Sequence, residues 1–464
     1  MSDNTQSLSQ KVCVIGAGLA GSEAAYFLAK NGISVELVEC KQVCLGPAQK
    51  SKNFAELVCT NSLKSMNPHS SHGLLKEEMK AFGSVVLECA SHCKVPAGDA
   101  LAVDREEFSR LITEKLSNHP LINIHHKEAE DPIKLANELG CHFILMATGP
   151  LTTEALEKWL FDFQSGTDLY FYDAIAPIVD ADSLDYSKLY FKDRHKEVPK
   201  NEEDQDSPEV LPDYLNAPLS KEQYEALVQA VVEAEKVPPA KFEKLQFFES
   251  CLPIDIMAER GVDTLRFGPL KPIGLELPSG EIPHAVIQLR KENLLGSAYN
   301  MVGFQNRLTY KEQVRIFRMI PGMEEAQFIH LGSVHRNTFI HSSKLLNFDL
   351  SSKAEPRLHF AGQVTGVEGY TESATCGLYV AYQILRKLKS KEPLEFPTET
   401  AIGSIVNYLM TAPKPVPSNV NFGLFPEIQV PKRKGLKRSE RKKIKKQLIV
   451  ERARNSFEGF YEAP

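Results

Sequence analysis

The residues best suited to chemistry near the start of the chain are three glycines, Gly16, Gly18 and Gly21, and one acid, Glu39. Glycines with this spacing let the backbone turn tightly and approach a phosphate, and the first amides of a following helix attract its negative charge. Glu39 lies about 20 residues further on, where an acid binds ribose hydroxyls. The pattern predicts a dinucleotide site, although a glycine-rich turn can also serve only to pack a helix on a sheet.

A strand, a helix and a second strand must hold these residues. The apolar run at 12–15 predicts a buried parallel strand, and a helix is predicted to follow at 19–31, closed by Gly32. The run at 33–38 predicts the next strand. An acid at the end of that strand suits an unphosphorylated adenosine ribose, which favours FAD or NAD over NADP.

Two later segments extend the predicted site. A buried strand at 142–146 runs into Ala147, Thr148 and Gly149, and a strand, a glycine-bearing loop and a helix follow one another at 358–388. A helix that starts after Gly369 directs its positive end at the loop, where a flavin becomes negative on reduction. Two such junctions in one chain favour FAD, whereas the second junction alone could be a capped core helix.

Composition describes an ordinary folded protein of 464 residues, 42% hydrophobic and 25% charged, which is long enough for two or three domains. No apolar run approaches the roughly 20 residues of a membrane span, and the N-terminus lacks the features of a signal peptide. We therefore expect a cytoplasmic protein with no membrane contact. Nine cysteines without a Cys-x-x-Cys pair predict reduced thiols and no metal site.

Charge is unevenly distributed along the chain. The net charge is −6, yet residues 432–446 hold ten lysines or arginines against a single glutamate. Such a run can be a solvated tail, an electrostatic contact for nucleic acid or, less commonly, a contact for membrane lipid. A second polar run, at 200–209, predicts an exposed and mobile insertion.

Long segments spread over nearly the whole chain resemble the folate- and FAD-dependent tRNA (uracil-5-)-methyltransferases, the TrmFO family, which are relatives of the GidA flavoproteins. The segments that carry the resemblance include GAGLAGSEAA at 16–25, FAELVCTNSLK at 54–64, VPAGDALAVDRE at 95–106, CLPIDIMAERGVDTLRFGPLKPIGL at 251–275, YNMVGFQNRLTYKEQVRIFRMIPGME at 299–324, HRNTFI at 335–340 and FAGQVTGVEGYTESATCGL at 360–378.

The resemblance implies an α/β fold. We expect an FAD-binding, Rossmann-type domain of the glutathione-reductase kind, interrupted in sequence by an inserted α+β domain for folate and RNA. The predicted boundaries give an FAD-binding domain at 1–160 and 331–430, the inserted domain at 161–330, and a basic tail at 431–464.

The activity implied by the resemblance is methylation of uridine C5 in RNA, with uridine 54 of the tRNA T-loop as the first candidate. In this family 5,10-methylenetetrahydrofolate supplies the carbon, reduced FAD supplies electrons, and NAD(P)H recharges the flavin. One alternative is a related flavoenzyme that methylates 23S ribosomal RNA. The larger carboxymethylaminomethyl-uridine flavoproteins are a further relative, but this chain is too short for their helical C-terminal region.

Individual roles follow from the matched positions. Cys59 occupies the family's cysteine position and is the candidate catalytic thiol, although a lone cysteine is more often a small core residue. Lys64 could favour its thiolate. The residues implied to bind FAD are Gly16, Ala17, Gly18, Leu19, Ala20, Gly21, Glu39, Thr148, Gly149, Gly362, Glu368, Gly369 and Tyr370. Those implied to contact folate or RNA, with structural pairing as the alternative, are Asn61, Lys64, Arg266, Lys271, His335 and Arg336.

One position departs from the family pattern. Family members carry a second cysteine in a segment like YLNCP, where this chain has Ala217 between Asn216 and Pro218. Cys251 is no substitute by sequence position, because it matches a different family position. Three hypotheses follow: Cys59 suffices for tRNA methylation, the protein acts on ribosomal RNA, or it binds FAD, folate and RNA without methylating.

Overall fold

The computed structural model describes residues 10–46, 48–165, 169–194, 212–237, 252–413, 416–430 and 438–461, without the side chains of 169–174, 335, 336, 438 and 439. The polar run at 200–209 and Cys251 lie outside the described residues.

The strands are β1 (Lys11–Ile15), β2 (Ser34–Glu39), β3 (Ser62–Ser65), β4 (Lys94–Val95), β5 (Ala100–Val103), β6 (Ile122–His126), β7 (Phe143–Met146), β8 (Leu169–Ala174), β9 (Ile178–Asp180), β10 (Tyr190–Phe191), β11 (Tyr214–Leu219), β12 (Ala285–Lys291), β13 (Ala298–Met301), β14 (Phe328–His330), β15 (Val334–Phe339) and β16 (Leu358–Phe360).

The α-helices are α1 (Leu19–Lys30), α2 (Ser71–Ala81), α3 (Val85–His92), α4 (Arg105–Ser117), α5 (Pro132–Glu138), α6 (Glu154–Phe163), α7 (Lys221–Glu233), α8 (Ile254–Glu259), α9 (Thr264–Phe267), α10 (Tyr310–Phe317), α11 (Ser342–Leu345), α12 (Tyr370–Leu388), α13 (Ala401–Thr411) and α14 (Arg438–Phe460). Short 3-10 turns occur at 181–183, 186–188 and 363–365.

The first sheet has five parallel strands in the order β16, β7, β1, β2, β6. Val14 of β1 lies between Leu37 of β2 and Leu145 of β7, and all three side chains are buried, as expected for strands covered on both faces. Strand β16 comes from the last third of the chain. The sheet is therefore assembled from two distant parts of the sequence.

Helices α1 and α12 pack against each other beside this sheet. A Cβ at Gly377 of α12 would lie 2.1 Å from the backbone oxygen of Ala20 in α1, so the two helices approach more closely than a side chain allows. Both helices start at the same edge of the sheet, at the carboxyl ends of β1 and β16. Ligands of open α/β sheets bind at this edge.

The second sheet has six strands in the order β10, β11, β12, β13, β9, β14, and the pairs are antiparallel. Its buried face packs with α7, α8 and α10 in a separate apolar core. Helix α7 starts at a capping box formed by Ser220 and Gln223. The domain boundaries near 160, 330 and 430 stay predictions, and β8 pairs with β15 across the one near 330.

Helix α14 is buried only along its C-terminal half. Its first buried side chain is Ile449, and Arg454 binds the carboxylate of Glu77 at 2.8 Å. The Tyr461 hydroxyl, just beyond the helix, donates to the backbone oxygen of Ala81. Among the described residues, no helix combines the length and the apolar character needed to cross a membrane.

Candidate active site

The glycine loop after β1 has the geometry predicted from its sequence. Gly16 has a φ of +97°, and a Cβ there would lie 2.5 Å from the backbone oxygen of Ala147. A Cβ at Gly21 would lie 1.8 Å from the backbone oxygen of Gly16. An added Cβ at Gly18 would meet no protein atom within 4 Å. Gly16 and Gly21 therefore close the turn, while Gly18 faces open space where a ligand can approach.

That open space is a cavity of about 500 Å³, here called the dinucleotide cavity. Of the predicted cofactor residues it is lined by Gly16, Gly18, Leu19, Ala20, Glu39, Thr148, Gly149, Gly362 and Tyr370. Ala17 and Gly21 shape the loop behind it. Glu39 accepts hydrogen bonds from the backbone nitrogens of Ala17 at 2.7 Å and Lys41 at 2.9 Å, which hold its carboxylate at the end of β2.

Several polar groups that line the cavity have no hydrogen-bond partner among the described residues. The hydroxyls of Thr148, Thr152 and Thr153 are buried and lack a hydrogen-bond partner among the described residues. Within the same part of the chain, no side chain caps the first amides of α1 or α12. Buried polar groups normally find partners, and free helix N-termini attract anions. These features fit a dinucleotide with its phosphates at α1 and a flavin at α12.

A second cavity of about 360 Å³, here called the thiol cavity, adjoins the first. The two share lining residues, including Val58, Gln363 and Tyr370. Of the predicted residues, Cys59, Lys64, Glu368, Gly369 and Tyr370 line it. The candidate thiol therefore lies beside the end of the dinucleotide cavity where α12 begins.

Tyr370 fixes the backbone that carries the thiol. Its hydroxyl oxygen accepts hydrogen bonds from the backbone nitrogens of Cys59 at 2.7 Å and Thr60 at 3.1 Å. Burial raises the pKa of the Tyr370 hydroxyl far above its ordinary value, so it stays protonated. The start of α12 and the loop before β3 are thus joined, although they lie 311 positions apart in sequence.

Two guanidinium groups lie beside the thiol. Arg105 donates to the backbone oxygens of Leu57 at 2.8 Å and Cys59 at 3.3 Å. Burial opposes its charge, but the Glu292 carboxylate outweighs burial and raises the pKa of Arg105 above its usual range. Arg290 lines the thiol cavity and donates to the hydroxyl of Thr60. Neighbouring cations favour a thiolate.

Lys64 takes part in an ion pair. Its ammonium lies 3.2 Å from the fully buried carboxylate of Glu372, and His72 lies 3.4 Å from the same oxygen. Burial alone would raise the pKa of Glu372, but Lys64 and His72 outweigh it and lower the pKa to about 2. Lys64 lines the thiol cavity, and its positive charge is balanced by the Glu372 carboxylate of α12.

Position 217, where the family's second cysteine is missing, lies away from these cavities. Ala217 is in β11, opposite Ile287 of β12, and it is fully buried in the apolar core of the second sheet. It lines neither the dinucleotide cavity nor the thiol cavity. The departure at this position therefore leaves the surroundings of Cys59 unchanged.

The other predicted substrate residues are scattered. Asn61 is buried and joins the loop before β3 to β12, because its amide donates to the backbone oxygen of Lys291 and accepts from Arg290. Arg266 donates to the backbone oxygen of His284, and Lys271 is exposed. Neither lines the two cavities. His335 and Arg336 are in β15, with side chains outside the described set.

Sequence reasoning missed three polar residues of the site, Arg105, Arg290 and Asn300. Arg105 and Asn300 belong to matched segments, but no motif distinguishes them from surface residues. Arg290 lies outside these segments and is recognisable only once β12 is placed next to the thiol loop. In the described part of the chain, no cluster of three or more His, Cys, Asp or Glu residues is suited to hold a metal ion.

Comparisons with known proteins identify the fold and the family. The family model of glucose inhibited division protein A matches residues 11–392. A solved structure of Aquifex aeolicus GidA superposes with a TM-score of 0.67 at 16% identity, over 98% of this chain and 75% of that one. This likeness confirms the predicted FAD-binding α/β fold.

Curated relatives are much closer in sequence. "Methylenetetrahydrofolate--tRNA-(uracil-5-)-methyltransferase TrmFO" of Enterococcus faecalis is 47% identical over 424 residues, which cover 91% of this chain and 93% of the relative. The protein of the same name from Anaeromyxobacter dehalogenans is 49% identical over 457 residues, or 96% of each chain. On the strength of these matches and of the family model, the chain belongs to the TrmFO family, within the wider GidA family.

Proposed function

We propose that this protein methylates C5 of uridine in RNA, with 5,10-methylenetetrahydrofolate as carbon donor and FAD as the redox cofactor. One observation carries the proposal: the Cys59 thiol lines a cavity that adjoins a dinucleotide cavity at the positive end of α12. Family membership supports the same activity. The finer assignments, uridine 54 of the tRNA T-loop and NAD(P)H as reductant, are part of the proposal.

The reaction requires a nucleophile because C5 of uracil is not reactive by itself. Addition of the Cys59 thiolate to C6 makes C5 nucleophilic, so that C5 can take up the one-carbon unit. Loss of the C5 proton then expels tetrahydrofolate and leaves the folate carbon as an exocyclic methylene on C5, with Cys59 still bound to C6. Addition of a hydride to this methylene completes the methyl group, and departure of the Cys59 thiolate from C6 restores the ring double bond. FAD held in the dinucleotide cavity would supply that hydride when reduced, and NAD(P)H would reduce it again.

The described residues provide what the thiol needs. Arg105 and Arg290 place positive charge beside the Cys59 loop and favour its thiolate. Tyr370 fixes the backbone of Cys59 and Thr60. Because the partly buried Cys59 thiol lines a cavity, it can reach a base only outside the stack, so the target uridine has to leave its helix and enter the thiol cavity.

RNA as the partner is supported by α14. Arg441, Lys442, Lys443, Lys445 and Lys446 are exposed, and none of the described side chains at 440–448 is buried. The apolar C-terminal half anchors the helix, so its basic half extends from the core. A stretch of this charge matches an RNA phosphate backbone.

The test is an assay of the FAD-loaded protein with NADH, labelled methylenetetrahydrofolate and two RNAs that lack 5-methyluridine, bulk tRNA and 23S ribosomal RNA. We expect label at the T-loop uridine of tRNA. Label in ribosomal RNA alone would show that ribosomal RNA, and not tRNA, is the substrate. Reduction of the flavin without label in either RNA would contradict the proposal.

A matched pair of variants tests whether Cys59 is the catalytic thiol. Cys59→Ala should keep FAD bound and abolish labelling, while Cys89→Ala, in α3 and outside both cavities, should remain active. Full labelling by Cys59→Ala would remove this thiol from the reaction.

A further inference from the structure

Asn300 of β13 has an unsatisfied amide that faces the thiol cavity. Its side chain is 3% exposed, and its amide nitrogen has no hydrogen-bond partner among the described residues. It lines the cavity together with Cys59 and Arg290. A buried hydrogen-bond donor without an acceptor costs free energy, so we expect a ligand in the cavity to accept a hydrogen bond from the Asn300 amide.

The direction of this side chain is fixed by the sheet. Asn300 pairs with Arg290 of β12 on one side and with Ile178 of β9 on the other, so its strand is an interior one. Residues directly opposite in neighbouring strands point to the same face. Asn300 and Arg290 therefore present their polar groups together, and neither can turn away without breaking the ladder.

We infer that the carboxamide of Asn300 reads the Watson–Crick edge of the target uracil in the thiol cavity. Uracil presents an acceptor at O4 beside a donor at N3, and a carboxamide offers the matching donor and acceptor. Cytosine presents the reverse pattern, an amino donor at C4 beside an acceptor at N3. Asn300 accordingly selects uridine over cytidine. The inference rests on the proposed function and adds the group that recognises the base.

Cys59 and Asn300 both line the thiol cavity, and its volume of about 360 Å³ is large enough for a pyrimidine ring. C6, which the thiol attacks, and the edge formed by N3 and O4 lie on opposite sides of the ring, so Cys59 and Asn300 can contact the same base. The pterin of folate also carries an amide-like edge. The rival outcome is therefore that Asn300 binds folate. Its substitution would then change the KM for methylenetetrahydrofolate and leave RNA binding unchanged.

The experiment measures RNA binding and turnover separately, with oligonucleotides that carry uridine or cytidine at the target position. In the wild-type protein we expect tighter binding of the uridine form. Asn300→Asp, which can only accept hydrogen bonds when ionised and which offers cytosine its matching acceptor, should lose this preference. Its kcat/KM for uridine RNA should fall about tenfold to a hundredfold, with the KM for methylenetetrahydrofolate unchanged.

Controls separate recognition from folding. Asn118→Asp makes the same change at an exposed position at the end of α4 and should behave as wild type. Asn300→Ala should retain the flavin spectrum and the melting temperature, because it removes an unpaired group, yet lose the uridine preference. A lower melting temperature with unchanged preference would overturn the inference in favour of a structural role.

Two other results would also overturn it. One is a raised KM for methylenetetrahydrofolate with normal RNA binding, and the other is a wild-type protein that binds both oligonucleotides equally. Absence of methylation by a wild-type protein that still prefers uridine would instead contradict the proposed function alone.

Discussion

Position 217 and position 59 differ in what their side chains can reach. Cys59 lines the thiol cavity, whereas Ala217 is fully buried in the core of the second sheet. Among the three hypotheses raised by Ala217, this placement favours a methylase in which Cys59 suffices.

The corresponding prediction concerns Ala217→Cys. We expect the rate of uridine methylation to stay within about twofold of wild type, because the new thiol faces Ile287 and its neighbours rather than the cavity. The extra sulfur in this fully buried core position should cost about 1–3 kcal/mol of unfolding free energy. Labelled-folate turnover and urea unfolding measure the two quantities. A large gain in turnover would show that position 217 takes part in the chemistry.

A second prediction at the residue scale concerns Glu372. Its pKa is about 2 in the folded protein, below the ordinary 4.5, so its ionised form stabilises the fold above about pH 4.5 and that contribution is lost as pH falls toward 2. Between pH 6 and pH 3 the wild type should therefore lose about 2 kcal/mol of unfolding free energy that Glu372→Gln does not lose. Urea unfolding at both pH values checks this, and equal losses in the two proteins would refute it.

The sequence predicts the role of a single residue where the backbone geometry admits only one residue type. Gly16 and Gly21 are readable from sequence because no other residue fits against Ala147 and Gly16. Arg290 and Asn300 were not readable, because their roles come from strands that meet the thiol loop only in the folded chain. The sequence assigns Asn61 to substrate, which stays a prediction, and in the structure its side chain bonds to Arg290 and Lys291.

At the scale of elements, α14 joins an anchored half to a basic half. We predict that Lys442→Gln with Lys443→Gln weakens RNA binding and makes the dependence of log K on log salt shallower by about 1 to 2, since each lost phosphate contact contributes about 0.7–0.9. Filter binding across a salt series measures the slope. Lys389→Gln with Lys391→Gln, two exposed lysines beyond α12, is the matched control. An unchanged slope would identify the basic half as a solvated segment.

Elements with clear end signals were predicted well. Asp104 accepts from the backbone nitrogens of Glu106 and Glu107 and starts α4, as its sequence indicates. Gly32 has a φ of +83° just after the end of α1. Strand β2 begins and ends one residue later than predicted, at Ser34 and Glu39, because its pairing with β1 and β6 sets the ends. Strand partners were beyond sequence reasoning, since pairing depends on contacts between distant segments.

At the scale of the molecule, the second sheet contacts the thiol loop before β3. Asn61 donates to the backbone oxygen of Lys291 at 2.9 Å and accepts from Arg290 at 3.0 Å, and Arg105 binds Glu292 at 2.7 Å. The loop that carries Cys59 is therefore held by β12 and the residue after it. Movement of the second sheet relative to this loop would displace Arg290 from it.

We predict that Asn61→Ala lowers the unfolding free energy by about 1–3 kcal/mol, because the Lys291 carbonyl loses its Asn61 donor and Arg290 loses one of its hydrogen bonds. Methylation should fall with FAD still bound, since Arg290 loses one of the bonds that hold it beside the thiol loop. Urea unfolding, the flavin spectrum and the methylation assay measure these effects. Asn137→Ala, which removes an exposed contact to Arg357, is the control. Unchanged methylation at reduced stability would limit Asn61 to a structural role.

The divided parallel sheet also has a consequence for biosynthesis. Strand β16 and the start of α12 leave the ribosome long after β1, β2 and β7, yet all of them build the dinucleotide cavity. A nascent chain therefore cannot retain the flavin until most of it has been translated, and β7 lacks one neighbouring strand until then. Prematurely terminated products would stay colourless and expose an unpaired hydrophobic edge to proteases. The yellow colour of a preparation thus reports chains that were completed at least through α12.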